Sequence, residues 1–360
     1  MITSRTRLCR SFVKTVPFYA ALAGGRAPAF VYGGRRVRGI PLFTYHVPGP
    51  SFEEDLGALL RSGYRTAGAE ELAAYASGKH RPDGRTVALT FDDGDESLVR
   101  EVVPLLQRYG LRGIAFVVAG LVPERSEGGL AGWAELRAAV ATGVLEVGGH
   151  SLYHHEVPVS PDVVGFVDSG TDTGFTANMP IPRLRNEVPA VGTPVYRGRP
   201  RYTAGRGFFP DPEGLDRCRS FVRERGEEVF RRPSGLRDLR RLAPTTGTYE
   251  SGPEADAAVE ADMRASFERI AAECPNAAVR QLCFPWYART VRADRLAGRA
   301  GASLLIGGYD PTRLGPGRDG PPLLQRLSAG LLRRLPGPER KSLGRILRER
   351  LGATLALGPA

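Results

Sequence analysis

Residues 86–94 read TVALTFDDG, and the rest of the fold is placed outward from this stretch. The apolar run over 86–91 predicts a strand that ends on two adjacent carboxylates and a glycine, Asp92, Asp93 and Gly94. A helical pattern follows, with Val99, Val102, Val103 and Leu106 on one face and Gly110 as its stop; Pro104 inside it predicts a kink. Upstream, a run over 40–45 precedes a helix starting at Ser51, where Glu54 completes a capping-box pattern. Phe52, Leu56, Leu59 and Leu60 form its apolar face and Gly63 ends it. Downstream come a run over 113–118, a helix over 133–141 stopped by Gly143, and a run over 145–149 that ends at His150. Strand-like runs return at 281–284, 303–306 and 323–327. Short apolar runs alternating with amphipathic helices predict an α/β protein with parallel strands.

The rhythm breaks between residues 156 and 250, which are rich in Pro, Gly, Arg and Thr. One helix is legible there: Asp211 caps it, Pro212 takes its first position, and Leu215, Cys218, Phe221 and Val222 form its apolar face. A structureless loop of this length does not suit a compact domain, so 156–250 reads as an inserted lid or subdomain. Its Tyr196, Arg197, Arg199, Arg201, Tyr202 and Arg206 either grip an anionic, phosphate- or lipid-linked part of a substrate or form a solvated basic loop. After it, Ser251 and Glu254 make a second capping-box pattern before a helix faced by Val259, Met263, Phe267 and Ile270. The resulting division is an N-terminal extension over 1–35, an α/β unit over 36–330 interrupted by the insertion, and a basic amphipathic C-terminal helix over 331–360. That last piece, with Leu343, Ile346, Leu347 and Leu351 at helical spacing, suits packing on the main unit or lying on a membrane surface.

Composition narrows the function classes. The chain has 360 residues and a formal net charge of +11, and only Lys14, Lys79 and Lys341 among its basic residues are not arginine. Abundant Ala, Gly, Pro and Arg fit a GC-rich genome, so the arginine excess carries little functional weight. What remains favours anionic partners, but no basic run interleaves with aromatics and no nucleic-acid motif is present, so no specific nucleic acid is expected. Cys9, Cys218, Cys274 and Cys283 show no paired spacing, which fits a reducing compartment. The apolar stretch over 16–24 contains Pro17 and is short for a secretion signal. No apolar stretch has spanning length, so the expected location is the cytoplasm or its membrane surface.

Two clusters carry chemistry, and each follows its own strand: Asp92-Asp93-Gly94, and His150-Ser151-Leu152-Tyr153-His154-His155. In parallel α/β folds the C-terminal strand ends form the active face. Adjacent carboxylates there are costly unless positive charge sits between them, and a divalent cation would supply it. Two imidazoles and a carboxylate are a ligand set that leaves room for water and substrate. TFDDG at 90–94 and GHSLYH at 149–154 resemble the first two motifs of the polysaccharide deacetylase superfamily (carbohydrate esterase family 4 type). Leu282-Cys283-Phe284-Pro285-Trp286-Tyr287 resembles a weaker third motif, and Leu324-Gln325-Arg326-Leu327 a late strand of that family.

This resemblance implies a distorted (β/α) barrel of about seven strands. It implies Asp93, His150 and His154 as ligands of a metal, zinc by expectation, with Asp92 as general base and Trp286 and Tyr287 at the substrate or oxyanion position. His155 competes with His154, although a one-residue step aims the side chain elsewhere. The family's late catalytic-acid histidine is missing, since no histidine follows His155; His46, at the end of the first strand-like run, is the expected acid. The arginine that the family sets before its Pro pair is Cys283 here, with Arg280 and Arg326 as candidate substitutes and Cys283 itself read as a buried small side chain. The expected activity is removal of an N-acyl group, acetyl by expectation, from an amino sugar or glycoconjugate. The alternatives are an amidase, deformylase or O-deacetylase using the same site, or a non-catalytic glycan- or partner-binding protein on the same scaffold.

Overall fold

The structure is a computed structural model that describes residues 24, 25, 27–171, 189–275, 279–308 and 321–348. In chain order its strands are β1 (Leu42–Tyr45), β2 (Arg65–Thr66), β3 (Thr86–Asp93), β4 (Gly113–Val117), β5 (Leu145–Gly149), β6 (Glu156–Phe166), β7 (Pro194–Pro200), β8 (Phe208–Pro210), β9 (Gly247–Tyr249), β10 (Gln281–Cys283), β11 (Leu304–Gly308) and β12 (Leu323–Ser328). Its α-helices are α1 (Ala29–Tyr32), α2 (Phe52–Arg61), α3 (Ala69–Ala76), α4 (Val103–Tyr109), α5 (Trp133–Ala141), α6 (Pro212–Arg225), α7 (Pro233–Leu242), α8 (Gly252–Glu273) and α9 (Val291–Arg299).

Seven parallel strands close on themselves in the order β1, β3, β4, β5, β10, β11, β12 and back to β1, with β2 added at the start of β3. These are the seven strand-like runs of the sequence, so the expected (β/α) barrel is what forms. The two-residue period of a strand sorts its side chains. Leu42, Ala88, Ile114, Phe116, Cys283, Leu304 and Ile306 fall in one buried cluster. Their neighbours Phe43, Leu89, Phe91, Ala115 and Val117 fall in a second, with Leu56 and Leu59 of α2, Leu106 of α4 and Trp133 and Leu136 of α5. The same alternation carries Thr90 and Asp92 of β3 onto the face of Ala88.

Local details depart from expectation in three places. Ser51 makes no side-chain cap on α2: its ψ of 1° lies outside the extended backbone of a capping residue, and the Glu54 carboxylate that would complete the box accepts from Arg333 at 3.0 Å instead. The box at Ser251 and Glu254 forms in both directions, at 2.7 and 3.3 Å. The strain expected at Pro104 is taken up by a π-helical turn, Leu98–Val102, immediately before α4.

The segment between β5 and α8 holds more order than its composition suggests. β6 and β7 form an antiparallel ribbon, β8 and β9 a second one, and α7 joins the predicted α6. Asp211 caps α6 as expected, accepting from the Gly214 N–H at 3.0 Å. Phe166, Cys218, Val222, Val229 and Leu239 give this segment its own small core. At the termini, Phe30 and Val31 are buried in the main core rather than extending away from it. The helical turns over 343–348 bury Ile346, while Leu343 and Leu347 pack against that core; Leu351 lies outside the described residues. No helix among the described residues is long and apolar enough to cross a membrane.

Candidate metal and catalytic site

β3 delivers Asp92 with its side chain on the inner face of the barrel. A buried carboxylate needs a partner, and β12 supplies one. Arg326 donates from Nη1 to Asp92 Oδ1 at 2.6 Å and from Nη2 to Oδ2 at 2.7 Å, and from Nη1 to Thr90 Oγ1 at 3.2 Å. Its side chain is fully buried, between the rings of Tyr287 at 5.1 Å and Phe116 at 5.6 Å. This is the planar, bidentate geometry that arginine makes and lysine cannot. Burial alone would raise the Asp92 pKa, but Arg326, His150 and His46 outweigh it and hold the carboxyl well below the usual range. Of the two substitutes for the arginine missing at Cys283, the structure therefore brings Arg326 to Asp92. Arg280 lies before the start of β10, at the opposite end of the strands. Cys283 is buried, and burial pushes its thiol well up, which suits a small inert side chain.

Asp93 leaves β3 with φ at 71°, turning its carboxylate away from Asp92 toward the loop after β5. There Asp93 Oδ1 lies 3.5 Å from His150 Nε2 and 3.6 Å from His154 Nε2. The three ligand atoms fall within 4.8 Å of one another. His150 holds its orientation through the other ring nitrogen, 2.9 Å from the Cys283 carbonyl, as ligating imidazoles commonly do. Burial lowers the His150 pKa to about 4, with Asp92 pulling the other way, so the ring is neutral at pH 7 and able to bind a cation. A carboxylate and two imidazoles at this spacing fit a divalent metal by donor chemistry. His155 does not join them; it lines a recess beside Ser151, Arg201, Tyr202, Asp262 and Trp286.

His46 follows β1 at the barrel mouth, its Nε2 3.9 Å from Asp92 Oδ2 and its side chain 55% exposed. A third strand-end histidine thus reaches Asp92. Trp286 and Tyr287 form a tight turn after β10, with φ of 51° and 56°. Trp286 lies against His154, ring centroids 4.1 Å apart. Tyr287 lies over Gly308, where any Cβ would come within 2.6 Å of the ring. The Tyr287 N–H donates to the Phe284 carbonyl at 3.0 Å, so Tyr287 contributes a ring at the rim rather than an amide for an oxyanion.

Among the described residues, the non-glycine residues with left-handed φ are Asp93, Ser151, His154, Trp286 and Tyr287, all at this site. Such backbone costs on the order of 1–3 kcal/mol per residue and persists where surrounding contacts impose it. Composition gives no sign of it, because none of these residue types favours that conformation strongly.

Comparison with known proteins agrees with this architecture. Residues 79–172 match the family described as polysaccharide deacetylase. That stretch is similar to a polysaccharide deacetylase domain. A curated Bacillus subtilis (strain 168) protein, "Putative polysaccharide deacetylase YxkH", is 27% identical over 88 residues. That match covers 22% of this chain and 32% of the relative, so the chain spans about a third of the relative's length. The fold is shared with the de-N-acetylase from Aggregatibacter actinomycetemcomitans, at a TM-score of 0.50 and 15% identity over 80% of this chain and 94% of that one. It is shared equally with the BpsB deacetylase domain from Bordetella bronchiseptica, at a TM-score of 0.50 and 16% identity over 80% and 95% of the two chains. The matched stretch, 79–172, contains Asp92, Asp93, His150 and His154 and ends before β7.

Of the residues read either as an anion grip or as a solvated basic loop, most are engaged within the insertion or with its neighbours. Arg201 is buried and spent on Glu250 through two bonds of 2.8 and 2.7 Å. Tyr196 is buried and donates to the Pro244 carbonyl at 2.9 Å, and Arg197 pairs with Asp162 at 3.1 Å. Arg206 donates to the Glu250 carbonyl and Tyr202 to Asp262. These side chains hold the segment together and tie it to α8.

Proposed function

We propose that the protein is a metal-dependent deacetylase that hydrolyses the N-acetyl group of an amino sugar within a glycan or glycoconjugate. The observation that carries this is the meeting, at one barrel mouth, of an Asp93–His150–His154 triangle with a second carboxylate, Asp92, locked in place by Arg326. Asp93, His150 and His154 would hold the cation, zinc by the chemistry of its donors, which supplies polarisation of the acyl carbonyl and acidification of water.

The chain's own groups do the rest. Asp92 is ionised and fixed by Arg326, so it is positioned to accept a proton from the attacking water. His46 stands on the solvent side of Asp92, where it can hand a proton to the departing amine. An amine leaves poorly without that proton. Trp286 walls the site beside His154, and Tyr287 offers a half-exposed ring at the rim for a sugar face. Arg201 and Arg206 are engaged with Glu250 and Arg197 with Asp162, which favours a glycan over a phosphate- or lipid-linked portion.

The test is acetate release from N-acetylglucosamine oligomers by the zinc-loaded protein. Release by wild type and its loss in Asp92→Asn supports the reading. Zinc-loaded, folded protein that binds the oligomers but releases no acetate would instead favour the binding-protein alternative.

A further inference from the structure

The loop that carries both imidazoles holds two backbone positions that cost energy. Ser151 and His154 both sit at left-handed φ, 71° and 47°. Inside the loop, a single side-chain bond links them: the His154 N–H donates to Ser151 Oγ at 2.7 Å. The segment after β4 adds backbone bonds, the Ala119 and Gly120 N–H groups donating to the Ser151 and Leu152 carbonyls at 3.3 and 2.8 Å, and further restraints come from two elements distant in sequence. Asp262 on α8 accepts the Leu152 N–H at 3.1 Å. The same oxygen accepts the hydroxyl of Tyr202, which belongs to the inserted segment and also reaches the Ser151 side chain. Ser266, one turn further along α8, donates to the Ser151 carbonyl at 3.3 Å. The Arg201 N–H donates to the His155 carbonyl at 3.2 Å, and the Arg201 guanidinium is anchored on Glu250 just before α8. Tyr202 is buried, and its ring packs with Val259, Met263, Phe267 and Phe284. None of these groups reaches the reacting centre, yet a half-buried carboxylate is kept on an otherwise apolar helix face.

We propose that Tyr202 and Asp262 are positioning residues for the 150–155 loop, clamping it so that His150 and His154 both face Asp93. The proposal rests on the metal-site reading above for its consequence, but the clamp itself is independent of any ion. The inserted segment then completes the support of the ligand loop from outside the barrel.

Two measurements on Tyr202→Phe, which removes only a hydroxyl, test this. In the metal-free protein, amide hydrogen exchange at Leu152 and His154 is expected to speed up by about tenfold or more, with β3 and β4 amides unchanged. Cobalt titration, followed by its visible absorption, is expected to show affinity lower by about tenfold and an altered band shape, as loss of support around a ligand does elsewhere. Asp262→Asn, which keeps an acceptor, is expected to fall between wild type and Tyr202→Phe in both. Unchanged exchange at Leu152 and His154 overturns the clamp. Faster exchange with cobalt affinity and spectrum unchanged overturns the positioning role. If wild type takes up no cobalt, the functional reading fails, while the exchange result still decides the clamp.

Discussion

The barrel and the inserted segment solve the same problem in opposite ways. In the barrel, each strand is hydrogen-bonded on both sides, so its side chains must be apolar on both faces and its polar residues collect at the ends. In the insertion, strands pair two at a time and every strand is an edge. β6 accordingly carries Pro158 and Pro161, and β7 begins and ends on Pro194 and Pro200, which a central strand would not tolerate. The barrel's charges concentrate in one buried mouth with Asp92, Asp93, Arg326 and two histidines. The insertion spreads its charges as surface pairs and one buried lock, Arg201 with Glu250. Reactivity follows from the first arrangement, and shape from the second.

That difference can be broken most severely at Arg326. Arg326→Leu leaves Asp92 buried without its partner, and removing one member of a buried pair costs about 3–5 kcal/mol. Denaturant melting should show that loss, and deacetylation should fall by about 10²–10⁴ because the base is no longer aimed. Equal melting of variant and wild type would mean that the pair is not formed. His46→Ala tests the other side of the same carboxylate. Its exposed side chain predicts little change in stability, while kcat should drop by about a hundredfold or more if it protonates the leaving amine. Activity within a few-fold of wild type would remove His46 from the reaction.

The pH dependence of the metal-free protein comes next. His150 titrates near 4 in the fold against 6.5 when unconstrained, because burial disfavours its cation. The unfolded chain therefore binds its proton first as pH falls, so the stability that neutral His150 contributes is present above pH 6.5 and is lost progressively toward pH 4. The loss is on the order of 3 kcal/mol, and His150→Gln should flatten it; an identical slope in both proteins would assign the acid sensitivity elsewhere. The smallest effect lies in the insertion. Tyr196→Phe removes one buried hydroxyl from the Pro244 carbonyl and should cost about 1 kcal/mol by melting, with kcat/KM unchanged. A large fall in activity would show that the insertion's own core reaches the chemistry.

Legibility from sequence follows the same divide. The seven barrel strands were readable because a buried parallel strand leaves a continuous apolar run, and the clusters at 92–94 and 150–155 stood out because they interrupt such runs. The ribbons of the insertion were not readable, since prolines at edge positions look like breaks and only capped α6 keeps a helical signature. Arg326 could be listed as a candidate but not chosen over Arg280, because which barrel face a residue takes depends on register and closure. Asp262 left no signal at all: on an amphipathic helix, an inward aspartate has the same spacing as a solvated one. The capping pattern at Ser51 misled because Ser51 does not take the extended backbone a cap requires, while the Glu54 carboxylate pairs with Arg333 far along the chain.

Everything functional rests on whether the triangle of Asp93, His150 and His154 holds a cation. The direct measurement is metal content of purified protein after zinc is offered and excess removed, for wild type, His150→Ala and His46→Ala side by side. The account predicts about one zinc per chain in wild type and His46→Ala and almost none in His150→Ala. Folded wild type without zinc, or His150→Ala that keeps it, would contradict the central claim.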